Sequence, residues 1–80
     1  MSLTQAIIKR IFELCDKHDL TVGGLANLCA VPPSTLKSIL YCKSKNPRIV
    51  VVKMICDGLD MTLAEFFDTE YFNCLDPIVK

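Results

Sequence analysis

Apolar residues recur at helical spacing through most of the chain, and this periodicity predicts an all-helical protein. Threonines stand where three of the helices are expected to begin, and a glutamate three residues after the last one predicts a capping box. These predicted N-caps are Thr4, Thr21 and Thr62, the last paired with Glu65. The predicted helices cover residues 4–18, 22–30, 33–41, 48–59 and 60–68.

Two adjacent prolines interrupt the middle of this pattern. Pro32 does not fit inside a helix and pushes Val31 out of the helical conformation, so the second helix has to stop near Ala30. Pro33 suits the first position of a new helix, where no backbone N–H is needed. The prolines therefore predict two short helices joined by a tight turn.

Side chains of these two helices divide into an inner and an outer set. The residues expected to face the core are Leu25, Leu28 and Cys29 in the second helix and Leu36, Ile39 and Leu40 in the third. The residues left on the outer face of the third helix are Ser34, Thr35, Lys37, Ser38 and Tyr41. The outer set is polar, which suits contact with a polar partner as well as contact with water.

The charges are unevenly distributed, although the net charge is zero. The segment 21–56 has five cations and no acid, whereas residues 57–80 have six acids and one lysine. The cations of the acid-free segment are Lys37, Lys43, Lys45, Arg48 and Lys53. A basic module favours a nucleic-acid partner, but five cations in a segment of this length also suit an ordinary solvated surface.

Composition argues against several other classes of protein. Five cysteines stand far apart, and His18 is the only histidine, so we expect reduced thiols and no metal site. The chain has no apolar run of the ~18 residues that span a membrane and no secretory signal, so we expect a cytoplasmic protein without a membrane partner. No histidine–nucleophile pair, carboxylate pair or phosphate loop stands at useful spacing, so we expect neither an enzyme nor a cofactor.

A set of residues distributed from Ile11 to Phe67 carries a family resemblance. The set comprises Leu20, Thr21, Leu25 and Ala26 near the second helix, Val31 at the turn, Ser34, Thr35, Leu36 and Ile39 in the third helix, residues 43–47 in the loop, Ile55, Cys56 and Leu59 in the fourth helix, and Leu63, Phe66 and Phe67 in the fifth. With these residues at this spacing, the chain resembles the lambda-repressor-like helix-turn-helix family, the Cro-like regulators of phages and bacteria.

The resemblance implies an all-α, compact five-helix domain over residues 1–68, whose second and third helices form the helix-turn-helix, followed by a C-terminal tail over 69–80. It also implies that the third helix enters the major groove of double-stranded DNA while the second lies across the backbone. The candidate base-reading residues are then Pro33, Ser34, Thr35, Lys37 and Ser38. The candidate phosphate contacts are the amides of Val22 and Gly23 and the side chains of Tyr41, Lys43, Lys45 and Arg48, with Lys53 as a further possibility.

Several residues depart from the family pattern, among them three at positions that matter for DNA binding or for the end of the third helix. Pro33 stands where a base-contacting glutamine or arginine is frequent, and it offers only an apolar contact, for example to a thymine methyl. Val22 stands where a phosphate-binding glutamine is common, and Cys42 where glycine usually ends the helix. Direct readout is therefore expected to be sparse, with DNA shape contributing more. Ser34 and Thr35 also have a simpler interpretation, in which they only cap the helix locally.

We expect a homodimer on DNA, because one small module contacts too little DNA for strong selectivity. The candidate dimer surface comprises Val50, Val51 and Met54 of the fourth helix and Tyr71, Phe72, Leu75 and Ile78 of the tail. The alternative is a tail that folds back over the core of its own monomer. The predicted function is sequence-specific DNA binding by a small repressor of phage, plasmid or mobile-element type, and its alternative is an antitoxin-like protein-interaction module on the same fold.

Overall fold

The computed structural model of the protein describes residues 1–41 and 48–79. Within these ranges five α-helices and one short 3-10 helix are present and no strand, so the predicted all-α fold is confirmed. The α-helices are α1 (Leu3–Lys17), α2 (Val22–Leu28), α3 (Pro33–Tyr41), α4 (Ile49–Gly58) and α5 (Leu63–Phe67), and the 3-10 helix is Glu70–Asn73. No helix in the described part of the chain is long and apolar enough to cross a bilayer.

Side-chain caps start three of the helices. Thr21 and Thr62 cap α2 and α5 as predicted, and Thr62 forms the predicted capping box with Glu65. The prediction for α1 was wrong, because Ser2 rather than Thr4 is its N-cap. The Ser2 hydroxyl accepts from the Gln5 amide at 3.2 Å and the Ser2 amide donates to Gln5 Oε1 at 2.9 Å, a reciprocal box that starts the helix earlier.

Helices α1, α2 and α4 end in the same way. Each is followed by a residue with left-handed backbone, after which the next amide donates back across the turn and an apolar side chain returns to the core. The left-handed residues are Asp19, Ala30 and Asp60, with φ of 55°, 57° and 55°. Aspartate tolerates this conformation better than alanine does, so the backbone strain is greatest at Ala30, which lies in the turn between α2 and α3.

One apolar core joins all five α-helices. Its largest fully buried side chains are Ile11, Leu14, Leu25, Leu36, Val52, Ile55, Cys56 and Phe66. Three predictions about this core were wrong. Ile49, which the apolar spacing placed on the core side of α4, is 57% exposed. Leu28 is 54% exposed, because Leu25 and Ala26 both face the core and leave Leu28 outside the buried arc of α2. Val51, predicted as a surplus apolar residue for a dimer, is buried in the core.

Gly58 allows the ends of α2 and α4 to approach closely. A Cβ atom at Gly58 would lie 2.4 Å from Cys29 Sγ and 2.9 Å from Cys29 Cα. Because one of these atoms belongs to the backbone, a rotation of the cysteine side chain does not relieve both contacts. The Cys29 thiol also donates to the Ile55 carbonyl at 3.6 Å, so the sulfur is fixed between the two helices.

The tail folds back on its own monomer. The Phe72 ring lies 5.0 Å from the Phe67 ring, and the Tyr71 hydroxyl donates to the Glu13 carboxylate on α1. The Lys9 ammonium stands 4.6 Å from the centre of the Tyr71 ring. Burial, followed by the hydrogen bond to Glu13, raises the pKa of Tyr71 to about 12. Tyr71 and Phe72 therefore contribute to the monomer, as the alternative for the tail predicts, whereas Ile78 and Val79 remain exposed.

Candidate nucleic-acid interface

The turn between α2 and α3 has the geometry of a helix-turn-helix. Helix α2 ends at Leu28, and after the left-handed Ala30 the Val31 amide donates to the Ala26 carbonyl at 3.0 Å. Val31 is 2% exposed, so it anchors the turn in the core. The predicted stop near Ala30 and the predicted restart at Pro33 are confirmed.

The two prolines set the first turn of α3. Pro33 is the first residue of the helix, and the carbonyl of Pro32 accepts from Thr35 at 2.9 Å and from Leu36 at 3.1 Å. The rings of both prolines are exposed. The sequence prediction placed only Pro33 at the interface. Pro32 directly precedes it and is also exposed.

The inner and outer faces of α3 agree with their predicted composition. Leu36, Ile39 and Leu40 are buried, whereas every polar residue of the helix is exposed. At 100° per residue, five exposed residues share an arc of about 140° around the helix. These residues are Pro33, Ser34, Lys37, Ser38 and Tyr41. Thr35, also exposed, lies about 60° beyond this arc, on the side of Ser38. We call these six residues the α3 outer face.

Helix α2 presents free amides at its N-terminus. The Thr21 hydroxyl accepts from the Gly24 amide at 3.0 Å, and the Thr21 carbonyl accepts from the Leu25 amide at 2.9 Å. The amides of Val22 and Gly23 have no partner among the described residues. Both amides stand at the positive end of the helix, where an anion such as a phosphate is favoured.

The cations of the acid-free segment differ in their surroundings. Lys37 and Arg48 are exposed, and neither forms an ion pair with a residue in the described ranges. Lys53 is different, because its ammonium pairs with the Asp57 carboxylate one turn later, and this hydrogen bond raises the pKa of Lys53. The i,i+4 spacing of the pair was readable in the sequence. The phosphate candidates Lys43 and Lys45, together with Cys42, lie outside the described residues.

Tyr41 and Arg48 stand on either side of residues 42–47. The Tyr41 ring packs edge-on against Phe12 at 6.1 Å between centroids, and its side chain is still 59% exposed. Arg48 is the N-cap residue of α4, but its side chain makes no capping hydrogen bond. Tyr41 is thus available to a ligand that approaches the C-terminal end of α3, and Arg48 to a ligand at the start of α4.

The thiols and the charged groove lie apart from the α3 outer face. Burial is the main cause that raises the pKa of Cys15, Cys29 and Cys56, so these thiols are protonated at neutral pH and poor nucleophiles. In the described ranges no three side chains of the metal-binding types lie close enough together to hold an ion. A groove of about 320 Å³ mixes both signs of charge, and none of the interface candidates lines it. Its ionisable lining residues are Arg10, Lys17, His18, Asp60, Glu65 and Asp68.

Fold and turn geometry together define a helix-turn-helix protein. Residues 10–71 match the family described as the Cro/C1-type HTH DNA-binding domain. Because this match covers most of the chain, the protein belongs to that family. Its members bind DNA, generally to regulate transcription, and are typically not enzymes. No curated protein and no solved structure matches the chain at a significant level.

Proposed function

We propose that the protein is a sequence-specific binder of double-stranded DNA that represses transcription, with α3 as its recognition helix in the major groove. The observation that carries this proposal is the α3 outer face, which is exposed, polar and free of acids. A protein bound over a promoter blocks access to it, so repression is the simplest outcome. A phage, plasmid or mobile-element promoter is the proposed setting, and the protein would act in the cytoplasm.

Base readout is assigned to the α3 outer face. Lys37 is the most discriminating candidate, since a lysine that reaches guanine O6 or N7 reads a pattern unique to that base. The hydroxyls of Ser34, Thr35 and Ser38 both donate and accept, so each discriminates less. We therefore expect a short half-site in which one guanine contributes most of the specificity.

Phosphate contacts are assigned to groups around this helix. The amides of Val22 and Gly23 would hold one phosphate, and Tyr41 and Arg48 would hold others at the opposite end of α3. Lys43 and Lys45 keep the same proposed role on the strength of the sequence alone. Lys53 contributes less than the sequence suggested, because binding a phosphate would require its ammonium to leave Asp57.

The partner of the protein on DNA is proposed to be a second copy. Tyr71, Phe72 and Val51 are occupied within the monomer, so they are weak candidates for the dimer surface. Ile49 and Val50 are 57% and 64% exposed at the start of α4, which makes them better candidates. Even together with the exposed Ile78 of the tail, these side chains offer far less than the ~800 Å² per partner of a stable interface, so we expect the dimer to form on DNA and not in free solution.

Selection of bound duplexes from a random library at two salt concentrations tests the proposal. An enriched inverted repeat with half-sites about one helical turn apart is the expected result. Salt-sensitive retention without enrichment would contradict sequence-specific binding. Absence of retention at both salt concentrations would contradict the whole proposal and favour the protein-interaction module.

Single substitutions test the division of roles on the selected duplex. Lys37→Ala should reduce the preference for the operator by about 1–3 kcal/mol relative to random DNA. Arg48→Ala should weaken binding to every duplex alike and lower the salt slope by about 1. Equal losses on all duplexes for both variants would refute the assignment.

A further inference from the structure

The N-terminal end of the proposed recognition helix is apolar. We propose that Pro33 determines specificity by contacting the C5-methyl group of a thymine in the major groove. This inference rests on the proposed function, because it requires α3 to enter that groove. The protein would then distinguish two bases, a guanine through Lys37 and a thymine through Pro33.

Pro33 has only one kind of contact to offer. It is exposed at the first position of α3, has no backbone N–H and carries no polar atom in its ring. Residues at the start of a recognition helix are those that reach base edges. Among the groups that bases present in the major groove, the thymine methyl is the apolar one. A ring that reaches a base here therefore pairs best with thymine.

The structure holds the proline ring in place before DNA arrives. The carbonyl of Pro32 accepts from both Thr35 and Leu36, which fixes the first turn, and Leu36 is fully buried. A proline loses no side-chain rotamer entropy when it is buried. The free energy gained when the ring contacts a methyl group is therefore not reduced by a loss of side-chain entropy, as it would be for a long polar side chain.

The neighbouring hydroxyls do not duplicate this function. Ser34 and Ser38 read either donors or acceptors, so they leave a T·A pair poorly distinguished from its alternatives. Thr35 also carries a methyl group, but the same Cβ carries a hydroxyl that suits a polar base edge, whereas the Pro33 ring is entirely apolar. Pro33 is thus the residue through which the chain gains most from a pyrimidine methyl.

The test replaces the thymines of the selected duplex, one at a time, with deoxyuridine. This change removes a single methyl group and keeps the base pair and its hydrogen-bonding edge. Affinity is measured by fluorescence anisotropy for the wild-type protein and for Pro33→Ser. At one thymine in each half-site, the wild-type protein should lose about fourfold in affinity, the value for one buried methyl-sized group. Pro33→Ser should show little difference between thymine and uracil at that position.

Two further variants complete the design. Pro77→Ser changes another exposed proline, in the tail, and should keep the full wild-type sensitivity to uracil. Pro33→Ala keeps a small apolar group at the helix start and should show an intermediate sensitivity, which also guards against a folding defect specific to serine. The methyl effect should persist at both salt concentrations, because it involves no counterion release.

The outcomes separate this inference from the proposed function. If no duplex is enriched, the proposed function fails and the inference fails with it. If an operator is selected but every uracil substitution is neutral, the inference alone is overturned. An equal loss for wild type and Pro33→Ser would also overturn it, because the methyl group would then act through DNA shape or another residue.

Discussion

The two halves of the chain use their polar side chains in opposite ways. On the α3 outer face the hydroxyls and Lys37 are exposed and make no ion pair within the described ranges. From Asp57 onward several polar groups are engaged within the monomer, as in the Thr62–Glu65 capping box and the Tyr71–Glu13 hydrogen bond. Intramolecular bonds stabilise the fold, whereas free polar groups on a rigid helix remain available for a ligand. The difference points to α3 as the binding side of the molecule.

Arg10 is a further polar side chain that is engaged within the monomer, in this case by backbone carbonyl groups. Its guanidinium donates to the Phe66 carbonyl at 2.8 Å and to the Glu65 carbonyl at 3.0 Å, so a cation outside the acid-free segment ties α1 to the end of α5. A positive charge at a helix C-terminus is favourable as well. Arg10 was not among the candidate phosphate contacts, and its two hydrogen bonds within the monomer agree with that.

The largest expected effect on stability concerns the contact between the two halves. Gly58→Ala should lower the free energy of unfolding by about 2–3 kcal/mol, because the new methyl group overlaps Cys29 and the helices have to separate. Urea denaturation followed by circular dichroism measures the change. The matched control is Gly23→Ala, whose Cβ would lie 4.0 Å from Thr21 Oγ1, and it should be neutral or slightly stabilising. Equal effects of the two substitutions would contradict the close approach.

The next effect tests the tail. Phe72→Ala should cost about 2 kcal/mol, because it removes a half-buried ring that contacts Phe66 and Phe67. Ile78→Ala is the control, since Ile78 is 79% exposed, and it should leave the midpoint of denaturation unchanged. The two variants should bind the operator equally well at temperatures where both are folded. A loss of DNA affinity confined to Phe72→Ala under those conditions would contradict the claim that the tail stabilises the monomer without contributing to DNA binding.

A smaller effect of opposite sign is expected at the turn. Ala30→Gly should stabilise the protein by about 1 kcal/mol, because glycine adopts the left-handed conformation without the penalty that a Cβ carries. Ala64→Gly, an exposed position inside α5, should destabilise by a similar amount. Thermal unfolding of both variants gives the signs directly, and a destabilised Ala30→Gly protein would show that Ala30 is not strained.

The smallest effect depends on pH. The hydrogen bond from the Thr62 amide, and then that from the Thr62 hydroxyl, lower the pKa of Glu65 below its ordinary value of 4.5. This contribution to stability is therefore present above the pKa of the unfolded carboxyl group and is lost as pH falls through the lower, folded value. The stability difference between wild type and Glu65→Gln should shrink from pH 6 to pH 3 in urea denaturation. A constant difference would contradict the assignment.

The spacing of apolar residues and the positions of the prolines were sufficient to predict the helices. Apolar spacing identified all five α-helices, and the two prolines located the turn, because these signals act within a few residues. The composition of the α3 outer face followed from the same period. Its role on DNA stays a prediction at every residue.

Features that depend on packing between helices were harder to predict from the sequence. Leu28 was predicted to be buried because it follows Leu25 by three residues, on the expected apolar stripe, and Val51 was predicted to be free because one apolar stripe was assumed sufficient for α4. The contact of Gly58 with Cys29 joins residues far apart in the chain, so no local pattern reports it. The exposure of Ile49, which the apolar spacing placed on the core side of α4, likewise became evident only from the fold, whereas Val50 was already predicted as surplus to the core.

The most direct test of the two-sided account is a map of backbone amide shifts on adding the selected operator duplex to the isotopically labelled protein. The account predicts large changes at Val22, Gly23, residues 34–41 and Arg48, and small ones at residues 63–76. Changes concentrated in residues 63–76, with the α3 outer face unaffected, would contradict it.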